Sequence, residues 1–192
     1  SDVSSSDLSK EWGFTVDYQG SANAAVADQV NVINNAVASG VDAICVSSVD
    51  ATGLDSALTE AKDAGVTVVT WDSDVSDTAR TLMVSQGTPD LLGKMLVDMG
   101  ADSLTNRGKD VKADTIKYCW HYSQATVADQ NSWQVAGEAY IKENFPNWEN
   151  VAPDNYYSEQ DAEKAVSIGA SILEAHSDID LIICNDSTAL PG

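Results

Sequence analysis

The sequence predicts an α/β protein of two Rossmann-like lobes, each built on a parallel sheet, and three observations lead to that prediction. Short apolar runs alternate with segments of helical periodicity along most of the chain, which is the pattern of βα units closing into parallel sheets covered by helices. A polar, glycine-containing stretch, "NRGKDVKAD" at 106–114, breaks the series, after which it restarts. Finally, "GVDAICVSSVDATGL" is echoed by "DIDLIICNDSTALPG". In both, an Asp precedes a hydrophobic run and small polar residues follow it. The expected division is a first lobe over 1–107 and a second over 108–192, with 106–114 as the linker.

The elements follow in order. "FTVDY" (14–18) alternates apolar and polar residues, as a half-buried strand does. Val26, Val30, Ile33 and Val37 recur on one helical face, and Gly40 is placed to end that helix. "DAICVSS" (42–48) reads as a strand. Leu54, Ala57, Leu58 and Ala61 mark the next helix, closed by Gly65. "VTVVTW" (66–71) and "TLMVSQ" (81–86) are strands. Thr88 as N-cap and Pro89 in the first turn open a helix over 88–104. In the second series "TIKYCWHY" (115–122) is a strand, about 126–144 a helix, and "NVAPDNYY" (150–157) a weaker strand. Ala162, Ala165, Val166, Gly169 and Leu173 mark a helix, and "DLIIC" (180–184) is the last strand.

Composition narrows the function. The 192 residues are 43% hydrophobic, enough for packed cores. Thirty acidic residues against ten basic ones give a formal charge of -20. No Lys/Arg cluster is present, so a nucleic-acid partner is not expected. The acids are spread along the chain, as on a solvated surface. Cys45, Cys119 and Cys184 each lie in an apolar run without a C-x-x-C pair, and buried free thiols are the expectation. No apolar run approaches the ~18 residues of a membrane span. Enzyme signatures are missing: there is no G-x-S-x-G, H-E-x-x-H or Walker A lysine motif. His121 ends a strand beside Trp120, a context more typical of a structural histidine.

Ligands of open α/β sheets bind beyond the carboxyl ends of the strands. The strand exits here are Ser47 and Ser48; Trp71, Asp72 and Asp74; Ser85 and Gln86; Ser123; and Asn185, Asp186 and Ser187. Carboxylates and amides suit hydroxyl groups, and an indole face suits the C–H face of a polyol. The set points to a small, neutral, polyhydroxylated ligand and fits phosphate poorly, since neither a glycine-rich turn nor basic residues accompany it. For Asp72 a turn or helix-capping carboxylate is the weaker alternative to a ligand contact, and for Asp74 that reading is the stronger one. The loop with Asp72, Asp74 and Asp77 lacks the glycine and terminal Glu of an EF-hand, which argues against calcium. "ATVADQNSWQ" (125–134) places Asp129, Gln130 and Asn131 near a helix start, with Trp133 behind them. Two carboxylates such as Asp72 and Asp129 also leave glycoside chemistry open.

"VTVVTWDSD", "SQGTPDLLGKMLVDMGAD" and "TVADQNSW" resemble the periplasmic binding proteins for autoinducer-2, the LsrB family, which shares the type I fold of ribose- and rhamnose-binding proteins. The resemblance runs from about Lys10 to Gly192. It implies a hinged, two-lobed extracytoplasmic receptor, periplasmic or membrane-anchored as a lipoprotein, monomeric and without a cofactor. Such a receptor closes on one small sugar-like ligand and presents it to the membrane subunits of an ABC transporter. It also implies that Asp72, Asp129 and Gln130 hold ligand hydroxyls, with Trp71 beside them. Asn185 and Ser187 stand where the family has proline and alanine, which replaces backbone-dominated contacts with side-chain hydrogen bonds and keeps rhamnose or a pentose open as the ligand. The family's first strand, with a ligand-binding lysine, has no counterpart before "SKEWGF", and the family chain continues past "ALPG". Lobes incomplete at both ends are therefore expected. A sensor domain or repressor core of the same fold, and a sugar-acting enzyme, are the rivals.

Overall fold

The computed structural model describes residues 5–20 and 25–188; the last residues of the second echo, 189–192, lie outside them. In the first lobe the elements are α1 (Ser5–Trp12), α2 (Val26–Ala38), β1 (Ala43–Val46), α3 (Asp55–Asp63), β2 (Thr67–Trp71), a 3₁₀ turn (Asp77–Ala79) and β3 (Leu82–Val84). The three strands form a parallel sheet in the order β1-β2-β3, with Ala43 opposite Thr67 and Val69 opposite Leu82. Ile33 of α2, Ile44 of β1, Leu58 of α3 and Val68 of β2 meet in one hydrophobic cluster. Gly40 and Gly65 follow α2 and α3 with φ of 77° and 90°, the left-handed stop expected there.

Residues 14–18 do not form the expected strand. Phe14, Val16 and Tyr18 are 48%, 41% and 87% exposed. Alternation alone does not make a strand, because a strand needs a ladder partner. Among the described residues, β1 pairs only with β2, so its other edge offers 14–18 no intervening neighbour. The same edge position exposes Cys45, contrary to the expectation of three buried thiols. Cys119, on a central strand, is buried and Cys184 half-buried; all three are free.

The second lobe comprises α4 (Pro89–Asn106), β4 (Ile116–Tyr122), α5 (Ala128–Asn144), β5 (Trp148–Asn150), β6 (Tyr156–Tyr157), α6 (Ala162–Ala175) and β7 (Leu181–Cys184). Parallel β4 is its centre: it pairs with β5 near its start, β6 at its end, and β7 on the opposite side. The carbonyls of Tyr118 and Tyr122 accept from Val151 and Ser158, whereas that of Lys117 accepts from Asp180. Alternate residues thus serve the two edges. The strand expected at 150–157 is in fact two short strands on one edge of β4. Trp120, Tyr118 and Tyr122 are fully buried. Their polar atoms are satisfied: Glu138 accepts from the Tyr118 hydroxyl and the Trp120 indole N–H, both at 2.7 Å, and from Asn150 at 2.9 Å.

Thr88 caps α4 by accepting from the Leu91 N–H, with Pro89 at its first turn, as expected. The placement of α4 corrects the expected division, however. Its buried Val97, Ala101 and Leu104 pack with Tyr118 and Trp120 in the second cluster, so core packing divides the chain ahead of Pro89 rather than at 107/108. The stretch 106–114 is likewise no linker but the turn from α4 into β4. Lys109 pairs with Asp180 at 2.7 Å, and Lys112 lies 3.9 Å from the centre of the Phe145 ring. Helices α4 and α5 meet at two glycines. A Cβ on Gly93 would stand 2.5 Å from the Trp133 carbonyl oxygen and 2.6 Å from the Gly137 nitrogen, and one on Gly137 would stand 2.8 Å from the Trp120 ring. That contact carries α5, and the residues on its first turn, into register over β4.

Candidate functional site

Both sheets run parallel and present their carboxyl ends to one cleft of about 1440 Å³. The first lobe supplies Ser47, Ser48 and Val49 beyond β1, Trp71, Asp72 and Ser73 beyond β2, and Gln86 beyond β3. The second lobe supplies 123–127 beyond β4, Asp129, Gln130 and Trp133 of α5, the segment 159–161, and Cys184 at the end of β7 with 185–188 beyond it. Trp71, Asp72, Asp129, Gln130, Asn185 and Ser187, the six residues singled out from the sequence, therefore line the same cleft.

Asp72 leaves β2 in the left-handed region, with φ of 61°. Asp tolerates this conformation better than most residues but still at a cost. The turn is held by its own N–H, which donates to the Val84 carbonyl at 3.2 Å. Its carboxylate accepts from the Ser47 hydroxyl at 3.3 Å and from the Gln86 amide. The Ser47–Val49 loop is fixed in turn by Gln29 of α2, which donates to the Ser47 carbonyl at 2.8 Å and accepts from the Val49 N–H at 3.1 Å. Beside Asp72, the Trp71 indole is about half exposed to the cleft.

Asp74 turns the other way. It accepts from the Thr70 hydroxyl at 2.5 Å and from Arg80 Nε at 2.7 and 2.9 Å, and Arg80 also binds Asp77. Burial pushes the Asp74 carboxyl up, but the bonds from Arg80 and Thr70 outweigh it and hold it below the usual carboxylate value. Asp74 and Asp77 are thus the turn chemistry anticipated for them, tied up by a guanidinium.

Across the cleft, Asp129 and Gln130 lie in the first turn of α5. The Gln130 side-chain oxygen accepts from the Ser123 N–H at 3.1 Å and its hydroxyl at 3.0 Å, which fixes the amide. Asn185, 8% exposed, donates to the Gln130 carbonyl at 3.4 Å, while its own side-chain oxygen is buried without a partner. Such an atom is costly unless something bonds it. Ser187 is exposed on the rim. Burial raises the Asp129 carboxyl above its ordinary range; the hydroxyl of Ser73 pulls it back and the charge of Asp72 adds to the rise.

Some contributors to the cleft were not singled out from the sequence, Ser73 and Gln29 among them. Ser73 lies in the strand exit between two acids but carries no sign of its own role, and Gln29 sits inside a helical pattern that gives no sign of a polar role. The adjoining Glu159 and Gln160 also line the cleft, at φ of 55° and 60°. His121 is buried with one ring nitrogen unpartnered. Burial lowers its pKa and Asp186 counters that in part. Among the described residues, no group of His, Cys, Asp and Glu is arranged to hold a metal ion, and no helix is long and apolar enough to cross a membrane.

Residues 6–192 match the model of the periplasmic binding protein domain. LsrB from Clostridium saccharobutylicum, solved in complex with AI-2, is 69% identical with a TM-score of 0.95, over 97% of this chain and 57% of its own. A solute-binding protein of an ABC transporter from Agrobacterium vitis, with bound D-fucose, is 26% identical (TM-score 0.77, 91% of this chain and 58% of its own). Another from Clostridium phytofermentans, with bound L-rhamnose, is 24% identical (TM-score 0.77, 92% and 51%) and shows the fold alone. The chain spans less than two thirds of the length of each of these proteins.

Proposed function

The chain belongs to the periplasmic binding protein domain family, and from that premise we propose that it serves as the extracytoplasmic solute-binding component of an ABC transporter, taking AI-2 or a closely related small sugar between its lobes. The observation that carries this reading is the cleft itself: Asp72 and Trp71 on one wall, Asp129 and Gln130 on the other, in a chain 69% identical to an LsrB solved with AI-2. On this reading the two carboxylates accept ligand hydroxyls. Gln130, whose side-chain oxygen is committed to Ser123, offers its NH₂ group as a donor. The unpartnered oxygen of Asn185 accepts one more hydroxyl, and the Trp71 face covers the ligand's C–H side.

The mechanism is binding without chemistry. A ligand bonded to both walls favours the conformation in which both reach it. The protein acts as a monomer, periplasmic or extracellular, free or anchored as a lipoprotein, and hands its ligand to the transporter's membrane subunits. Titration calorimetry with AI-2, L-rhamnose, D-fucose and D-arabinose tests the assignment. One-to-one binding that is tightest for AI-2 supports it. Tighter binding of one of the sugars reassigns the ligand, and conversion of any of them to product overturns the receptor reading.

A further inference from the structure

The Ser73 hydroxyl donates to Asp129 Oδ1, a side-chain hydrogen bond that joins residues 56 apart in sequence and crosses from the first lobe to the second. Ser73 is 4% exposed, and its backbone is pinned because its carbonyl accepts from the Ser48 N–H at 3.1 Å. A second bridge runs alongside: the Thr126 hydroxyl donates to the Val49 carbonyl at 3.1 Å. Both bridges leave the strand-exit loops of the first sheet and land within four residues at the entry to α5.

We propose that Ser73 is a positioning residue and the main element of a direct lobe-to-lobe latch. It holds the α5 entry against the β2 exit and fixes the orientation of the Asp129 carboxylate. The inference rests on the receptor reading above and adds to it a residue that is not itself required to touch the ligand. The chemistry suits the task. A carboxylate has about four lone-pair sites, so a hydroxyl donor occupies one and leaves the group able to accept from a ligand, whereas a bidentate cation would consume it. A hydroxyl-to-carboxylate bond is strong enough to bias a two-state hinge and weak enough to release it.

The test separates closure from binding. Spin labels attached at Asn35 of α2 and Glu174 of α6, in a Cys45→Ser background, report the distance between lobes in protein without ligand; calorimetry reports affinity for AI-2. Ser73→Ala is expected to lengthen and broaden the distance distribution and to weaken binding by about tenfold. Ser73→Thr, which keeps the hydroxyl, is expected to restore both. Thr126→Val breaks the exposed second bridge and is expected to widen the distribution by less; it also gives an independent reading should Ser73→Ala fail to fold. Unchanged distances in Ser73→Ala, or in Thr126→Val where that variant alone folds, overturn the latch whatever the affinity does. Failure of the wild-type chain to bind AI-2 or a sugar overturns the receptor reading instead, and the ligand-free distances still decide the latch.

Discussion

Replacing Asp129 with Asn separates what this residue does for the fold from what it does for the ligand. Burial raises its carboxyl above the ordinary range, Asp72 adds to the rise, and the Ser73 bond only partly offsets it. A carboxyl whose folded pKa exceeds its unfolded one holds its proton more tightly when folded. It therefore favours the folded state at low pH, and that advantage is lost as pH rises from the unfolded value of about 3.9 through the raised folded value. Once ionised, Asp129 works against folding. Asn has no charge to desolvate, and its carbonyl still accepts from Ser73. Asp129→Asn is therefore expected to melt at or above wild type at pH 7, with the difference vanishing below about pH 4. Binding moves the other way. A hydrogen bond to a charged group contributes about 1.5–3 kcal/mol, and about 1.4 kcal/mol is a factor of ten, so affinity for AI-2 is expected to fall by roughly 10- to 100-fold. Scanning and titration calorimetry on one preparation measure both. Affinity unchanged within about threefold removes Asp129 from the ligand's contacts. A variant that melts lower at pH 7 yet matches wild type at low pH refutes the account of its buried charge.

Two further outcomes are expected. Gly93→Ala places a methyl against backbone atoms of α5, which cannot swing aside as a side-chain tip can. A loss of about 1–3 kcal/mol in chemical denaturation is expected, with ligand affinity reduced as well if α5 shifts. Asp74→Asn removes the acceptor of Arg80 and Thr70. Because the Asp74 carboxyl is held below its usual value, its contribution is present above the unfolded value and lost as pH falls through the folded one. The variant is therefore expected to unfold about 1.5–3 kcal/mol more easily at pH 7 and to converge on wild type in acid, with AI-2 affinity little changed since Asp74 faces Arg80 rather than the cleft.

Much of this was legible in the sequence because it rests on local grammar. Thr88 before Pro89, Gly40 and Gly65 after helical runs, and the apolar run from Ile116 to Tyr122 each follow from the nearest few residues. So does the position of Trp71 and Asp72, since a strand exit is where a parallel sheet meets its ligand. What was not legible depends on partners distant in the chain. Residues 14–18 carry a strand's alternation but lack a ladder partner, so Phe14 and Tyr18 stand in solvent. The same edge exposes Cys45. Helix α4 was assigned to the first lobe by proximity in sequence. The glycine contact with α5 and the burial of Val97 and Leu104 against β4 decide otherwise, and no spacing along one helix announces which sheet it will cover. Ser73 bonds a residue 56 positions away, and a lone serine in a turn carries no mark of it.

Several unfavourable features of the molecule gather at the cleft, although Asn155 also holds left-handed backbone and His121 and Asn147 also bury an unpartnered polar atom outside it. Asp72, Glu159 and Gln160 hold left-handed backbone, Asp129 is a carboxyl whose pKa is raised by burial, and Asn185 hides an oxygen without a partner. All five line the same cleft. Other comparable demands away from the cleft are met: Glu138 is bonded by three donors, and Asp74 by Arg80 and Thr70. The cleft thus holds a share of the chain's departures from local stability at positions where a ligand can relieve them. The relief also has a direction, because an acceptor with no internal donor is satisfied by a ligand hydroxyl and not by an anion. On the receptor reading proposed above, the Asn185 oxygen and the Asp72 and Asp129 carboxylates favour a neutral, hydroxyl-rich molecule over a phosphate or a carboxylate of the same size.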